Sequence, residues 1–283
     1  MKYLGLPKYD DLKITRALAK KDNLASYPLL HKNISLIESE YKHYQGVRGN
    51  GTLLNPPLLL DDLLKAGLKD DYGRKLKALS YIEEIRRELS PDVCPMCGGY
   101  NPSQVDHFIP KSTYPEFSLY THNLVPACDC NQKKLKKYIG AAGERILHPY
   151  YDKILNERIA FLEFSGDPNV PDLKMALTFK FLNNRDAKFH VSSIVEKSNI
   201  FNWASKEWSK IQTRPSRTVF RRKTGAINIL DIKQALEDAF IEYDEEFGTP
   251  NNWKSMFYYG LAVKVNYHEF IRDCINKVHL GQK

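Results

Sequence analysis

Long apolar stretches are missing from this 283-residue sequence. No window approaches the roughly 20 consecutive apolar residues that a membrane-spanning helix requires, which excludes a membrane-spanning protein. The first residues, MKYLGLPKYDDLK, have only scattered apolar side chains before Asp10 and Asp11. They lack the apolar stretch and the small-residue cleavage site of a signal peptide. We therefore expect a cytoplasmic protein with no membrane partner.

Internal repeats and low-complexity tracts are also absent. The composition, 42% hydrophobic and 27% charged, is that of an ordinary globular protein, which excludes a disordered chain. Lys and Arg number 42 against 34 Asp and Glu, so the formal net charge is +8. This charge favours polyanionic partners, with nucleic acid first among them, but does not establish one.

Cysteine is scarce, and its placement is informative. Four of the five cysteines cluster as Cys94, Cys97, Cys128 and Cys130, whereas Cys274 lies apart in an apolar helical stretch and is expected in the core. In an intracellular chain this pattern favours a metal over disulfides. Four thiolates suit a tetrahedral Zn²⁺ that pins a segment too short to bury its own core, and buried thiols are the alternative. Such a closed site is structural.

Hydrophobic periodicity predicts an α+β protein with three segments along the chain, residues 1–90, 91–150 and 151–283. The first segment is helical and the second carries short β-like pieces with most of the cysteine. The third combines a small sheet with long helices. The predicted elements are helices at 34–44, 71–89, 227–247 and 252–276, and strands at 159–164, 175–182 and 189–193.

A basic stretch in the third segment, residues 206–223, is flanked by Trp203, Trp208 and Phe220. It has two interpretations. The basic side chains follow a phosphate backbone while the aromatic rings stack on bases. Alternatively, the tryptophans belong to the core and the charges form a solvated helix face.

The stretch with the most chemical information, residues 94–138, reads CPMCGGYNPSQVDHFIPKSTYPEFSLYTHNLVPACDCNQKKLKKY. Inside the cysteine frame it contains DHFIPKS, HNLVPAC and CNQKK in that order. From Cys94 to about His148 the chain resembles the HNH endonuclease family, whose members contain a ββα-metal motif. The resemblance implies a zinc-stapled ββα-metal module between the helical N-terminal region and the mostly helical C-terminal region.

The resemblance also assigns roles to five residues. His107 would be the general base, because an imidazole with a pKa near 6.5 accepts a proton at neutral pH. Asp106 and Asn131 would hold a catalytic Mg²⁺ or Mn²⁺ through hard oxygen ligands. Asn123 would fix the loop that aims the imidazole, and Lys134 would contact phosphate. Nearby lysines at 133, 136 and 137 would add diffuse attraction to phosphate or form a solvated helix face.

One spacing departs from the family pattern. The second cysteine pair is usually Cys-x2-Cys, whereas here a single residue separates Cys128 from Cys130. Cys130 remains the predicted fourth zinc ligand, because it directly precedes Asn131 as the last family cysteine does. His122 is the alternative ligand. His148 is expected to serve packing and turn formation rather than catalysis.

These residues together predict a metal-dependent endonuclease that hydrolyses phosphodiester bonds, with DNA as the expected substrate. The long flanking regions resemble stand-alone bacterial HNH proteins that act in phage defence beside an ATPase or sensor subunit. Two alternatives stay open: a non-catalytic, zinc-stabilised nucleic-acid-binding protein, and the same nuclease acting on RNA.

Overall fold

The structure, a computed structural model, describes residues 1–134, 137–220 and 227–279. These residues form two compact units. The N-terminal unit contains residues 3–96 and 100–153, and the C-terminal unit contains residues 1–2, 97–99 and the chain from residue 154 onward. The fold is mixed α+β, as predicted, and about half of the described residues are helical. Among the described residues, no helix is both long enough and apolar enough to cross a membrane.

The N-terminal unit combines helices with one short hairpin. Its elements are α1 (Asp11–Leu18), α2 (Leu29–Gly46), α3 (Asp62–Gly73), α4 (Ser80–Arg87), β1 (Gln104–His107), β2 (Leu124–Ala127) and α5 (Cys130–Lys134). The helix predicted at 34–44 lies within α2, and α3 begins after its cap residue Asp61. The strands and α5 follow one another in the order strand, strand, helix.

The single helix predicted at 71–89 is wrong, because helix α3 ends at Gly73. Arg74 is extended, and one 3-10 turn at Lys77–Leu79 precedes α4. The end of α3 is anchored by Asp71, whose buried carboxylate accepts the backbone N–H groups of Ala25 and Ser26. A continuous helix would need this glycine in its interior, which costs about 1 kcal/mol relative to alanine.

β1 and β2 pair antiparallel, with Asp106 opposite Val125 and His107 opposite Leu124. The connection between the strands is long and contains 3-10 turns at Pro115–Phe117 and Thr121–Asn123. Successive residues of a strand point to opposite faces, so Asp106 and His107 face different surroundings. The hairpin thus sets the geometry of the two residues that the sequence singles out.

The C-terminal unit begins with a second antiparallel hairpin, β3 (Ala160–Ser165) and β4 (Asp172–Leu177). The third strand, predicted at 189–193, is wrong. Helix α6 (Arg185–His190) continues there into a π-helical turn at Val191–Val195. Asn184 caps α6 by accepting the Ala187 N–H. The buried residues Ala187, His190, Val191, Ile194 and Val195 recur at helical spacing, which a short β-branched run conceals.

The rest of this unit is helical: α7 (Ile200–Thr213), α8 (Ile229–Phe247), α9 (Trp253–Ala262) and α10 (Asn266–His279). The helix predicted at 227–247 is confirmed as α8, which begins at an Asn228–Asp231 capping box and ends at the left-handed Gly248. The helix predicted at 252–276 is instead two helices. Gly260 lets α9 approach β3, since a Cβ there would lie 1.8 Å from the Leu162 carbonyl oxygen.

Two of the aromatic side chains that flank the basic stretch belong to the core of the C-terminal unit. Trp208 and Phe220 are 3% and 2% exposed, and the Trp208 indole donates to the Pro168 carbonyl. Stacking on bases is therefore wrong for these two rings, while residues 221–223 of the basic stretch lie outside the described residues. Cys274 is buried, as predicted.

Candidate functional site

The four clustered cysteines come together in space. Their sulfur atoms all lie within 4.8 Å of one another, and Cys94 Sγ is 3.7 Å from Cys130 Sγ. Sulfurs bound tetrahedrally to one zinc at about 2.3 Å are about 3.8 Å apart, whereas a disulfide requires about 2.05 Å. The donor set and its spacing therefore fit a metal ion such as zinc.

Backbone amides support this arrangement. The Gly99 N–H donates to Cys97 Sγ and the Cys130 N–H donates to Cys128 Sγ, both at 3.4 Å. Such bonds stabilise negative charge on sulfur and so favour the thiolates that bind metal. Gly98 has a φ of 82°, and a Cβ there would lie 2.1 Å from the Asn251 carbonyl oxygen, so this turn requires glycine.

Cys130, not His122, completes the cluster. The short Cys128–Cys130 spacing is accommodated because α5 begins at Cys130 and turns its sulfur toward Cys94. His122 has other partners: Nδ1 lies 2.5 Å from the Tyr151 hydroxyl, and Nε2 lies 3.8 Å from Asp11 Oδ2. Burial lowers the pKa of His122 to about 4.

His107 lies at the end of β1 and is 6% exposed. Its Nε2 lies 2.9 Å from the Ser118 carbonyl oxygen, and its ring packs edge-on against Tyr72, with centroids 4.3 Å apart. A carbonyl oxygen only accepts hydrogen bonds, so Nε2 carries the proton and Nδ1 carries the lone pair. Burial lowers the pKa of His107 to about 3, and Lys111 and Lys134 act in the same direction. The imidazole is therefore neutral at neutral pH.

Asn123 is fully buried and joins the two ends of the long β1–β2 connection. Its Oδ1 accepts the Ile109 N–H at 2.7 Å, and its Nδ2 donates to the carbonyls of Ile109 and Phe117. Phe117 precedes Ser118, whose carbonyl oxygen holds the His107 ring. Asn123 therefore lies where the sequence predicts a loop-fixing residue, while a contribution to catalysis stays a prediction.

Asp106 is paired with Lys134. The Lys134 Nζ lies 2.6 Å from Asp106 Oδ2 and also donates to the carbonyls of His107 and Phe108, and the lysine side chain is 2% exposed. Burial raises the pKa of Asp106, although the ammonium of Lys134 opposes the shift. Lys134 is predicted to contact phosphate. In the structure it contacts three protein oxygens, so a phosphate contact requires it to exchange one of them.

The fit to Mg²⁺ or Mn²⁺ differs from the fit to zinc. Mg²⁺ prefers six oxygen ligands at about 2.0–2.1 Å. Of the two predicted ligands, the Asn131 side chain lies outside the described residues, and Asp106 Oδ2 is already held by an ammonium group. The described side chains therefore fit a lysine cation at this position and do not form a divalent-cation site.

Two residues of the site escaped the sequence analysis. Tyr72 packs against His107, donates its hydroxyl to the Val105 carbonyl oxygen at 2.6 Å, and carries the Lys111 ammonium 4.1 Å from its ring centroid. Ser118 acts through its backbone carbonyl, for which no side-chain signal exists. His148 is fully buried, between the Tyr44 hydroxyl and the Tyr150 N–H, which confirms the predicted packing role.

The fold and the cysteine cluster define an α+β protein with a four-cysteine site able to hold a metal ion. Comparison with known proteins adds a relative: protein ea31 of Escherichia phage lambda is 30% identical, over 76% of this chain and 77% of the phage protein. The chain therefore belongs to the same family as protein ea31. No protein-family model and no solved structure matches the chain. The name of the relative states no activity, so the resemblance to HNH endonucleases stays a prediction.

Proposed function

We propose that this protein is an endonuclease that hydrolyses phosphodiester bonds in DNA, with His107 as the general base. The observation that carries this proposal is the tautomer of the neutral His107 imidazole. The Ser118 carbonyl holds Nε2 as a donor, so Nδ1 retains the lone pair that a general base requires. A backbone carbonyl that fixes the tautomer in this way orients an imidazole for proton transfer.

The low pKa of His107 makes it a weak base in the absence of substrate. A phosphodiester carries a negative charge, and an opposite charge within about 4–6 Å favours the protonated imidazole. Substrate binding would therefore raise the pKa of His107 toward neutrality, where a general base is most effective. The imidazole would take a proton from the attacking water, and the negative charge that develops on phosphate would need nearby cations.

Lysine side chains supply those cations. Lys111 is half-buried above Tyr72, and burial, together with the positive charge of Lys69, lowers the pKa of Lys111. Lys134 adds a third ammonium beside Asp106. A cluster of cations next to a neutral imidazole suits an anionic substrate whose charge increases in the transition state.

The metals enter this function differently. Zinc at the cysteine cluster would be structural, because four thiolates leave no coordination position for water. Dependence on Mg²⁺ or Mn²⁺ stays a prediction, because Asp106 is paired with Lys134 and the Asn131 side chain is not described. Action in anti-phage defence with an ATPase or sensor partner also stays a prediction. Pull-down from a native host tests it.

The test is cleavage by the purified protein of supercoiled plasmid, single-stranded DNA and RNA, with Mg²⁺, Mn²⁺ or a chelator. We expect nicking of the plasmid. His107→Ala should reduce the nicking rate by about 10²–10⁴-fold, the usual contribution of a general base. His31→Ala is the matched control, because His31 is exposed. Nicking that survives His107→Ala unchanged would contradict the assignment of the base.

A second candidate function is non-catalytic nucleic-acid binding. The burial of His107 favours it, since a 6% exposed ring with one nitrogen already bonded also describes a packing residue. This function predicts binding without cleavage under every metal condition, and His107→Ala would leave binding unchanged if the fold is retained. If only the RNA substrate were cleaved, the protein would still be a nuclease, but its substrate would be RNA and not DNA.

A further inference from the structure

We infer that DNA approaches His107 along a basic groove formed by the turn after α3 and by α4, a proposal that rests on the proposed nuclease function. The basic groove comprises two adjoining cavities of about 530 and 550 Å³ that share Arg86 and Arg87. The first is also lined by Arg74, Lys75 and Lys77, and its one acidic residue is Glu83.

The groove ends at the candidate catalytic site through Tyr72. This residue lines the first cavity, and its ring packs against His107 at a centroid distance of 4.3 Å. Its hydroxyl interacts with the Arg86 guanidinium and donates to the Val105 carbonyl, one residue before Asp106. Tyr72 is therefore a wall of the groove on one side and a neighbour of the proposed base on the other.

The charge of the groove is available to a polyanion. Arg86 and Arg87 both contact the single carboxylate of Glu83, so one acid offsets two guanidinium groups. Lys75 and Lys77 are exposed, and neither forms an ion pair within the described part of the chain. Neutralising phosphates with such lysines releases condensed counterions, which is the main driving force of binding to a nucleic-acid backbone.

A second basic cavity in the same unit provides a comparison. It lies along α1, has a volume of about 700 Å³ and is lined by Lys13, Arg16, Lys20 and Lys21. Arg16 is bound there by Glu38 through two hydrogen bonds. None of its lining residues belongs to β1 or packs on His107, whereas Tyr72 gives the basic groove that connection. Size and positive charge alone do not distinguish the two cavities, but proximity to His107 does.

The experiment is binding of a fluorescently labelled DNA duplex, measured by anisotropy at several salt concentrations in the presence of chelator. We expect Lys75→Gln/Lys77→Gln to weaken binding about tenfold at low salt and to reduce the slope of log K against log salt by about 1.8, or 0.9 per lost phosphate contact. Lys20→Gln/Lys21→Gln removes the same charge from exposed positions on the α1 cavity and should change neither quantity appreciably.

If the two double variants weakened DNA binding equally, the proposed role of the basic groove would be wrong, because the loss would then depend on net charge alone. A loss confined to an RNA probe would overturn DNA as its occupant. The outcome is separable from that of the nuclease: binding in chelator requires no cleavage, and plasmid nicking by the wild-type protein is measured independently. Unchanged thermal unfolding of both variants establishes that any difference arises at the surface.

Discussion

Helix α5 carries one residue of each of two sites, Cys130 of the cysteine cluster at its start and Lys134 of the Asp106–Lys134 pair at its end. The two sites differ in the source of the positive charge that suits them. At the cluster, four sulfur atoms face one another within 4.8 Å, an arrangement of like groups that a bound cation stabilises. At Asp106 the chain supplies its own cation, the ammonium of Lys134 at 2.6 Å. Of the two metal sites predicted from the sequence, one thus has the geometry of a metal site and the other contains a lysine ammonium in place of a metal ion.

The comparison shows how strongly each type of ligand residue indicates a metal site. Thiolates repel each other at such short separations, so the convergence of four of them points to a metal. A single carboxylate is satisfied equally well by an ammonium, so its presence in a motif does not by itself create a divalent-cation site. The distinction depends on which side chain folds back onto the carboxylate.

The largest effect is expected from a substitution that removes one cysteine of the cluster. Cys94→Ser should abolish metal binding and unfold the β1–β2 segment, because structural zinc contributes about 10–16 kcal/mol in zinc-finger peptides. Elemental analysis should find about one zinc per wild-type chain and none in the variant. Cys274→Ala is the control: it alters a buried cysteine outside the cluster and should retain zinc. Full metal content in Cys94→Ser would contradict the proposed zinc site.

A smaller effect is expected when the internal cation is removed. Lys134→Met leaves the Asp106 carboxylate, whose side chain is only 14% exposed, without its ammonium and should lower the free energy of unfolding by about 3–5 kcal/mol. Urea denaturation at neutral pH measures this change. Asp106→Asn/Lys134→Met removes both charges and should recover most of the loss, although both variants lack the lysine bonds to the His107 and Phe108 carbonyls. Equal destabilisation of the single and double variants would show that the carbonyl bonds matter and the charge pair does not.

The smallest effect is expected from titration of the buried histidines of the N-terminal unit. Burial lowers the pKa of His122 to about 4, below its ordinary value of 6.5. The unfolded chain therefore binds more protons between these values, and His122 should cost the fold about 2 kcal/mol as the pH falls from 7 to 5. The buried His107 and His148 act in the same direction. Burial raises the pKa of Asp11 to about 6, so this carboxyl opposes the trend.

The check is the free energy of unfolding as a function of pH. His122→Phe keeps an aromatic ring against Tyr120 and should flatten the fall in stability between pH 7 and pH 5. His31→Phe, at an exposed position, should leave the pH dependence as in the wild-type protein. A wild-type stability that rises on acidification would show that Asp11 outweighs the three imidazoles.

Local signals are sufficient where an element carries sequence signals at both of its ends. Helix α8 is an example, because Asn228, Asp231 and Gly248 define both termini without reference to the rest of the molecule. Prediction failed where distant residues decide and where two local patterns conflict. The helix expected across residue 73 breaks where Asp71 binds the backbone of residues 25 and 26, and the strand expected at 189–193 is helical because its buried face repeats every three to four residues.

The sequence by itself determined the cysteine cluster, because two close pairs of one ligand type have little to bind except a common metal. It also determined the α+β class. Only the tertiary structure decided that Lys134 reaches Asp106, that the Ser118 carbonyl sets the His107 tautomer, and that Tyr72 connects this ring to the basic groove. These are contacts between residues 11 to 35 positions apart, and hydrogen bonding, burial and charge at such separations depend on how the chain folds back rather than on local spacing.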